Sequence, residues 1–282
     1  MSDAVNSKVQ AHWSSDGLRD RVADVLKRAG KDSTNTTVED LSPLDQWHVE
    51  GLLPTQELAE LAGVKGTDEV LDAGCGMGGP ARYLARTYGC NVRGVDMSRS
   101  YLDTAAFLNE ITGLESKVSL EYGDVCDLSL ADESVDVAWT QHAVQSVPDK
   151  ARFFAEVFRV LKPGGRFVVH DLYRDSGSPV HYPAFWGDES ISFLETDAEM
   201  RSLLEGSGFE VVHWKDRTAS ARATIEAMSE EHATTDMEHE PIEGLDALLI
   251  FDADIMMEMA ENSVKDFAVG SVGIFEAVVR KS

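Results

Sequence analysis

Three cysteines in 282 residues, Cys75, Cys90 and Cys126, are too few and too widely spaced for a disulfide framework or a zinc site. No apolar stretch approaches the roughly 20 residues of a membrane-spanning helix. The opening residues, Met1-Ser-Asp-Ala-Val-Asn-Ser7, lack the basic-then-apolar pattern of a secretory signal, so a cytoplasmic location is expected. Positive charge is scarce too. Lysine and arginine total 25, ten of them lysine, against 50 acids, giving a net charge of −25. From Ala223 to Val264 there are twelve acids and no lysine or arginine. Such a surface repels phosphate backbones and anionic lipid, which argues against nucleic acid and membrane partners. The charge suits an ordinary acidic enzyme or, the reading favoured here, a salty cytoplasm whose ions screen the self-repulsion. On that reading the melting temperature rises along a KCl series from low to molar concentration. A flat or falling series removes it.

Hydrophobic residues make up 43% of the chain, enough for the core of one α/β domain with an added lid. Within it, Val70-Leu71 is a short apolar run ending in Asp72, followed by a turn with Gly74, Gly76, Gly78 and Gly79. Pro80-Ala-Arg-Tyr-Leu-Ala-Arg86 then carries an apolar face at helical spacing. Strand, glycine turn and helix in this order make a nucleotide-shaped hole, because the backbone must turn sharply and admit a ligand where a Cβ would collide. The glycines alone are weak evidence. Asn91–Asp96 adds a second strand ending in an acid 22 residues after Gly74, close to the roughly 20 at which a carboxylate meets a ribose diol. Leu120–Asp124 ends a third strand in another acid. Val135–Trp139 is a fourth, and Leu161-Lys-Pro-Gly-Gly165 turns into a fifth, Arg166–Asp171.

Taken together, Leu-Asp-Ala-Gly-Cys-Gly-Met-Gly-Gly, Gly-Val-Asp, Gly-Asp and Leu-Lys-Pro-Gly-Gly resemble a class I S-adenosylmethionine-dependent methyltransferase over residues 65–215. The resemblance implies a Rossmann-like doubly wound α/β sheet of seven strands, the last antiparallel, under a helical lid. The expected division is an N-terminal helical lid segment (1–64) and a cofactor-binding core (65–218) with a lid insertion at 173–195. An acidic helical cap (219–264) and a final strand (265–282) complete it. Leu248, Phe251, Ile255 and Met259 give the cap a helical apolar face, and Met256, Met257 and Met259 read as core. Thr196–Glu199 reads as a capping box opening a helix.

The resemblance also assigns cofactor roles. Ala73, Gly74 and Gly76 line the methionine part, Asp96 holds the ribose and Met97 packs on the adenine. Asp124 and the Val125 amide meet the adenine edge, and Gln141 faces the methionine part or the moving methyl. Pro43-Leu-Asp-Gln-Trp-His-Val-Glu-Gly51 resembles a segment of small-molecule N- and C-methyltransferases, including sarcosine/dimethylglycine enzymes, that folds over the donor pocket. It makes Gln46 a cofactor residue, His48 a catalytic candidate and Trp47 an acceptor-binding one, although Trp47 packed on the sheet would leave the same trace. His142, with Gln141 before it, is a catalytic candidate and Gln145 an acceptor contact, yet a lone histidine is more often structural. In the insertion, Tyr182 and Trp186 offer an aromatic wall to a cationic acceptor, and Arg174 is the candidate partner for an acceptor carboxylate. His232 and His239 lack ligand spacing, and no metal is expected.

The function expected is S-adenosylmethionine-dependent N-methylation of a small amine, with sarcosine and dimethylglycine, giving the osmolyte betaine, as the leading case. O- or C-methylation of another small metabolite is the alternative, and a non-catalytic cofactor-binding regulator a more distant one. A monomer or homodimer is expected.

Overall fold

The computed structural model describes residues 3–175, 177–234, 250 and 253–282. Five parallel strands form the centre: β1 (Glu69–Ala73), β2 (Asn91–Asp96), β3 (Val118–Tyr122), β4 (Val135–Gln141) and β5 (Leu161–Arg174). With β6 (Phe209–Asp216) and β7 (Val272–Lys281) the sheet order is β3-β2-β1-β4-β5-β7-β6, and β7 runs antiparallel to both its neighbours. The order reverses between β1 and β4. There the carboxyl ends of adjacent strands diverge and leave a crevice for a ligand.

Strand alternation builds two cores. Leu71, Ala138 and Phe167 turn to one face with Phe153, Phe154 and Val157 of α7 (Lys150–Val160) and Met200 and Leu204 of α8 (Asp197–Gly206). Val70, Val137 and Val168, their neighbours in sequence, turn to the other face. They meet Leu58 and Ala59 of α4 (Leu52–Ala62) and Ala81 and Leu84 of α5 (Gly79–Tyr88). Residues buried on both faces read as continuous apolar runs, as such strands must when helices cover each side. The box at Thr196 forms: its hydroxyl accepts from Glu199 N–H at 3.3 Å, and Glu199 accepts from Thr196 N–H at 2.9 Å.

The N-terminal segment holds four helices, α4 and before it α1 (Asp3–His12), α2 (Leu18–Arg28) and α3 (Val38–Asp45). Leu18, Val22, Val25 and Leu26 of α2 pack with Leu41, Leu44 and Met77, and with Leu108 of α6 (Arg99–Thr112). The acidic block is helical at both ends, in α9 (Thr218–Thr234) and α10 (Ala253–Val269). Leu248, Phe251 and His239 lie outside the described residues, as does the side chain of His232. Ile255 does not face a core as its spacing suggested, being 52% exposed. A helix packed on one side of a thin lid buries fewer positions than its apolar spacing offers. Among the described residues no helix is long and apolar enough to cross a membrane.

Candidate active site

The turn after β1 passes through Gly74, Gly76 and Gly78 at φ of 78°, 51° and 80°, the left-handed region that disfavours side chains. A Cβ on Gly74 would lie 2.4 Å from the Cβ of Ala143. One on Gly79 would lie 2.3 Å from the carbonyl oxygen of Asp45, so the end of α3 presses directly on the start of α5. Arg82, fully buried on α5, locks that contact: it donates to Asp45 Oδ2 at 2.8 Å, to Asn109 Oδ1 at 2.9 Å and to the Met77 carbonyl. Burial pushes the Asp45 carboxyl up to about 6, with Arg82 pulling the other way.

The carboxylates at the strand ends organise the next part. Asp96 Oδ2 accepts from Gly76 N–H at 2.9 Å and Oδ1 from Ser98 N–H at 2.7 Å, which pins the glycine turn to the end of β2. Asp72 faces the same space, and burial and the charge of Asp96 push it up to about 7. At the end of β3, Asp124 Oδ1 accepts from Cys126 N–H at 2.8 Å. Its Oδ2 accepts from Asn6 Nδ2 at 3.0 Å, so α1 closes over this end. Trp13, just past α1, donates its indole N–H to Ser146 Oγ at 3.2 Å, and its carbonyl accepts from Ser98 Oγ at 2.9 Å.

A single cavity of about 990 Å³ runs from these carboxylates to the far end of β4 and β5. That is at the top of the roughly 300–1,000 Å³ of small-molecule pockets, room for two ligands side by side. Its far wall is apolar: Val49, Leu172, Phe185, Trp186, Ile225 and Phe267 pack as one cluster. Lid and cap are joined by the buried Asp266 of α10, which accepts from His181 N–H at 2.9 Å and meets its Nδ1 at 2.6 Å.

Polar atoms without partners concentrate where the two parts meet. Trp139 Nε1 can only donate, and its 2.8 Å bond to Gln141 Oε1 fixes that amide so that Nε2 is turned away. Thr55 Oγ1 bridges Gln141 Oε1 at 3.0 Å and Gln46 Oε1 at 3.1 Å, and His48 Nε2 lies 3.0 Å from Gln46 Oε1. Buried Gln46 Nε2, His48 Nδ1, Gln141 Nε2, His142 Nε2, Gln145 Oε1 and Trp186 Nε1 have no partner among the described residues. His142 sits at φ 50°, left-handed for a residue with a side chain. Burial lowers His48 to about 4 and carries His142 well below the usual histidine range. Among the described residues no group of three or more His, Cys, Asp or Glu is arranged to hold a metal ion.

Gln46, Trp47, His48, Gly74, Gly76, Asp96, Met97, Asp124, Val125, Gln141, His142, Gln145 and Trp186 all line this cavity. Three residues expected there do not. Ala73 is buried in the sheet, its carbonyl bonded to Thr140 Oγ1 at 2.8 Å. Tyr182 packs against the apolar cluster without lining the cavity, and donates its hydroxyl to Ser192 Oγ at 2.9 Å. Arg174 donates to the Leu194 carbonyl at 2.9 Å and lies 3.6 Å from Glu199, because β5 runs past the cavity before it reaches this residue. Met257, read as core, instead lines the mouth and is 49% exposed. Asn6, Trp13, Tyr101 and Lys265 also line the cavity without having been singled out. Only the aromatic character of Trp13 and Tyr101 hinted at a buried role.

A profile of the methyltransferase domain family matches residues 71–169. The methyltransferase GfsG of Streptomyces halstedii is 32% identical over 189 residues, covering 66% of this chain and 68% of GfsG. The sterol 24-C-methyltransferase erg6 of Aspergillus fumigatus is 35% identical over 167 residues, 56% of this chain but only 44% of its own length. A solved structure of a candidate sarcosine dimethylglycine methyltransferase from Galdieria sulphuraria shares the fold at a TM-score of 0.66 and 23% identity, covering 82% of this chain and 86% of its own. The chain belongs to the class I S-adenosylmethionine-dependent methyltransferases. Its cavity fits that cofactor: the glycine turn leaves backbone exposed, acids end β2 and β3, and Asp72 Oδ2 and Gln141 Nε2 stand buried and unpartnered.

Proposed function

We propose that this methyltransferase acts on a small acceptor with a largely apolar body, bound under the lid. The observation that carries this reading is the single cavity joining Asp96 and Asp124 to the apolar wall around Phe185, Trp186 and Phe267. Bound at the carboxylate end, the cofactor supplies a methyl group on a positively charged sulfur. Gly74 and Gly76 receive the methionine part through their backbone, with the Gln46 and Gln141 amides turned toward it. Asp96 takes the ribose diol, Met97 the adenine face, and Asp124 with the Val125 amide the adenine edge. His48, Gln141 and His142 meet the point of transfer, while Trp47, Gln145 and Trp186 meet the acceptor. Displacement at such a methyl needs an aligned nucleophile and excluded water more than a covalent intermediate, and the closed, apolar wall suits both needs.

A second reading, N-methylation of sarcosine and dimethylglycine to betaine in a salt-adapted cytoplasm, draws support from the Asp45–His48 segment and the aromatic wall. It requires a partner for the acceptor carboxylate. With Arg174 off the cavity, Lys265 is the sole lysine or arginine on the wall among the described residues, and it is 56% exposed beside Glu261. An acceptor screen with labelled methyl donor separates the two readings: turnover of apolar acceptors and not of the two amino acids is expected. Asp96→Ala should weaken S-adenosylhomocysteine binding by about 1.5–3 kcal/mol, the scale for hydrogen bonds to a charged group. Calorimetry giving wild-type affinity for the folded variant takes Asp96 out of the site.

A further inference from the structure

His170, the last residue of β5 paired with β4, has no part in any role given so far. It is fully buried, and neither ring nitrogen has a partner among the described residues. Its ring stacks on that of His142, with centroids 5.1 Å apart and planes 27° apart, and stands edge-on to His48 at 5.8 Å. His48 and His142 are 6.0 Å apart, so the three imidazoles form one group with His142 and His48 on the cavity wall and His170 behind them. The chain itself builds the group: His142 N–H donates to the His170 carbonyl at 2.9 Å, which sets the left-handed turn that aims the His142 ring.

Leaving several imidazole nitrogens buried without partners costs stability. A core with only a structural need would hold phenylalanine or leucine here. We propose that His142, backed by His170 and flanked by His48, accepts the proton of a neutral hydroxyl acceptor whose oxygen is held by the Trp186 indole N–H. The proposal rests on the methyl-transfer reading of the same cavity and names its acceptor class.

The step balances without any further reagent. A lone pair of the acceptor oxygen forms the bond to the methyl carbon, the carbon–sulfur bond breaks with its pair left on sulfur, and the hydroxyl proton passes to His142 Nε2. Timing favours a hydroxyl over an ammonium. A hydroxyl proton becomes strongly acidic only as the methyl arrives, so a weak neutral base suffices. An ammonium must lose its proton before it has a lone pair to offer. Burial first, and then the neighbouring imidazoles, hold His142 and His170 well below the ordinary histidine range, and Arg217 adds to this for His170. Arg217 is itself ion-paired with Glu50, Glu57 and Glu276.

The test uses the full chain with S-adenosylhomocysteine, probed with 2-naphthalenemethanol and its amine counterpart 2-naphthalenemethylamine, and with ¹⁵N-labelled histidine. At pH 7 the His142 Nε2 signal should report an unprotonated nitrogen that shifts on adding the alcohol and not the amine. In turnover with labelled methyl donor, alcohols and phenols should be methylated at oxygen. His142→Asn, which tolerates the left-handed backbone, should slow that reaction about 100-fold with cofactor affinity unchanged. His170→Phe should keep or raise the melting temperature and slow it about 10-fold, a split that a purely structural histidine would not give. Wild-type rates in both variants, an imidazole signal indifferent to the alcohol, or methylation confined to amines or carbon would each overturn the proposal. Loss of cofactor binding by the wild-type protein would instead overturn the methyl-transfer reading beneath it.

Discussion

Arg82→Leu is expected to lower the free energy of unfolding by about 3–5 kcal/mol, the scale for removing one member of a buried ion pair. The guanidinium holds Asp45, Asn109 and the Met77 carbonyl, and neither it nor the Asp45 side chain is exposed to solvent. Without it Asp45 is a buried carboxyl with no counter-charge. Already raised by burial from 3.8 to about 6 with Arg82 present, it would climb further. A carboxyl raised in the folded state contributes stability below its unfolded value, and that contribution is lost as pH rises through the folded one. The defect of the variant should therefore be larger at pH 8 than at pH 5, and adding Asp45→Asn should recover part of it. Urea unfolding at the two pH values measures this. Equal losses at both would mean that Asp45 is not the group left stranded. Cofactor affinity should fall as well, because Arg82 ties both the glycine turn and the end of α3 in place.

Gly74→Ala should be nearly as damaging and more local. The new methyl would meet the Ala143 Cβ at 2.4 Å, and the residue would be held at φ 78°. Overpacking of this kind costs about 1–3 kcal/mol, and a left-handed residue with a side chain about 1–2 kcal/mol more. Relief must come from moving either the cofactor turn or Ala143, and Ala143 adjoins His142. Affinity for S-adenosylhomocysteine should drop at least 100-fold. The double variant Gly74→Ala with Ala143→Gly separates the two costs: it should recover the part due to collision and leave the part due to backbone angle. No recovery at all would show that the contact between the two turns is not what requires the glycine.

How much of this was legible in the residues depended on distance along the chain. The glycine turn, the acids closing β2 and β3, and the capping box at Thr196 are local patterns, and each lies where its spacing suggested. The Asp45–His48 segment was visible as a motif, but its anchorage was not. Arg82 stands 37 residues from Asp45, and Arg217 stands 167 residues from Glu50, which it holds at 2.8 Å. Nothing in either neighbourhood marks the pairing. Asn6 over Asp124 is equally non-local, at a separation of 118 residues. Arg174 failed for the opposite reason. The residues read as a fifth strand ending at Asp171, with Arg174 in the insertion beyond it, whereas β5 runs for 14 residues and Arg174 is its last, and strand length is the part of a strand that sequence marks least. His170 looked like one more residue of an apolar strand, and only the meeting of three separate segments gives it neighbours of its own kind.

The carboxyls that frame the cavity sort ligands by charge. Asp72, Asp96, Asp124 and Glu261 all stand on its wall, with Lys265 at the rim as their sole cationic counterpart there among the described residues. Burial first, and then the charge of Asp96, push Asp72 up to about 7, and a cation arriving beside it draws it back toward its charged form. A sulfonium donor is such a cation, and the thioether left after transfer is not. On the binding mode proposed above, the same wall would grip the ligand less firmly once the methyl has gone, so that fresh donor would be preferred over spent product in the exchange.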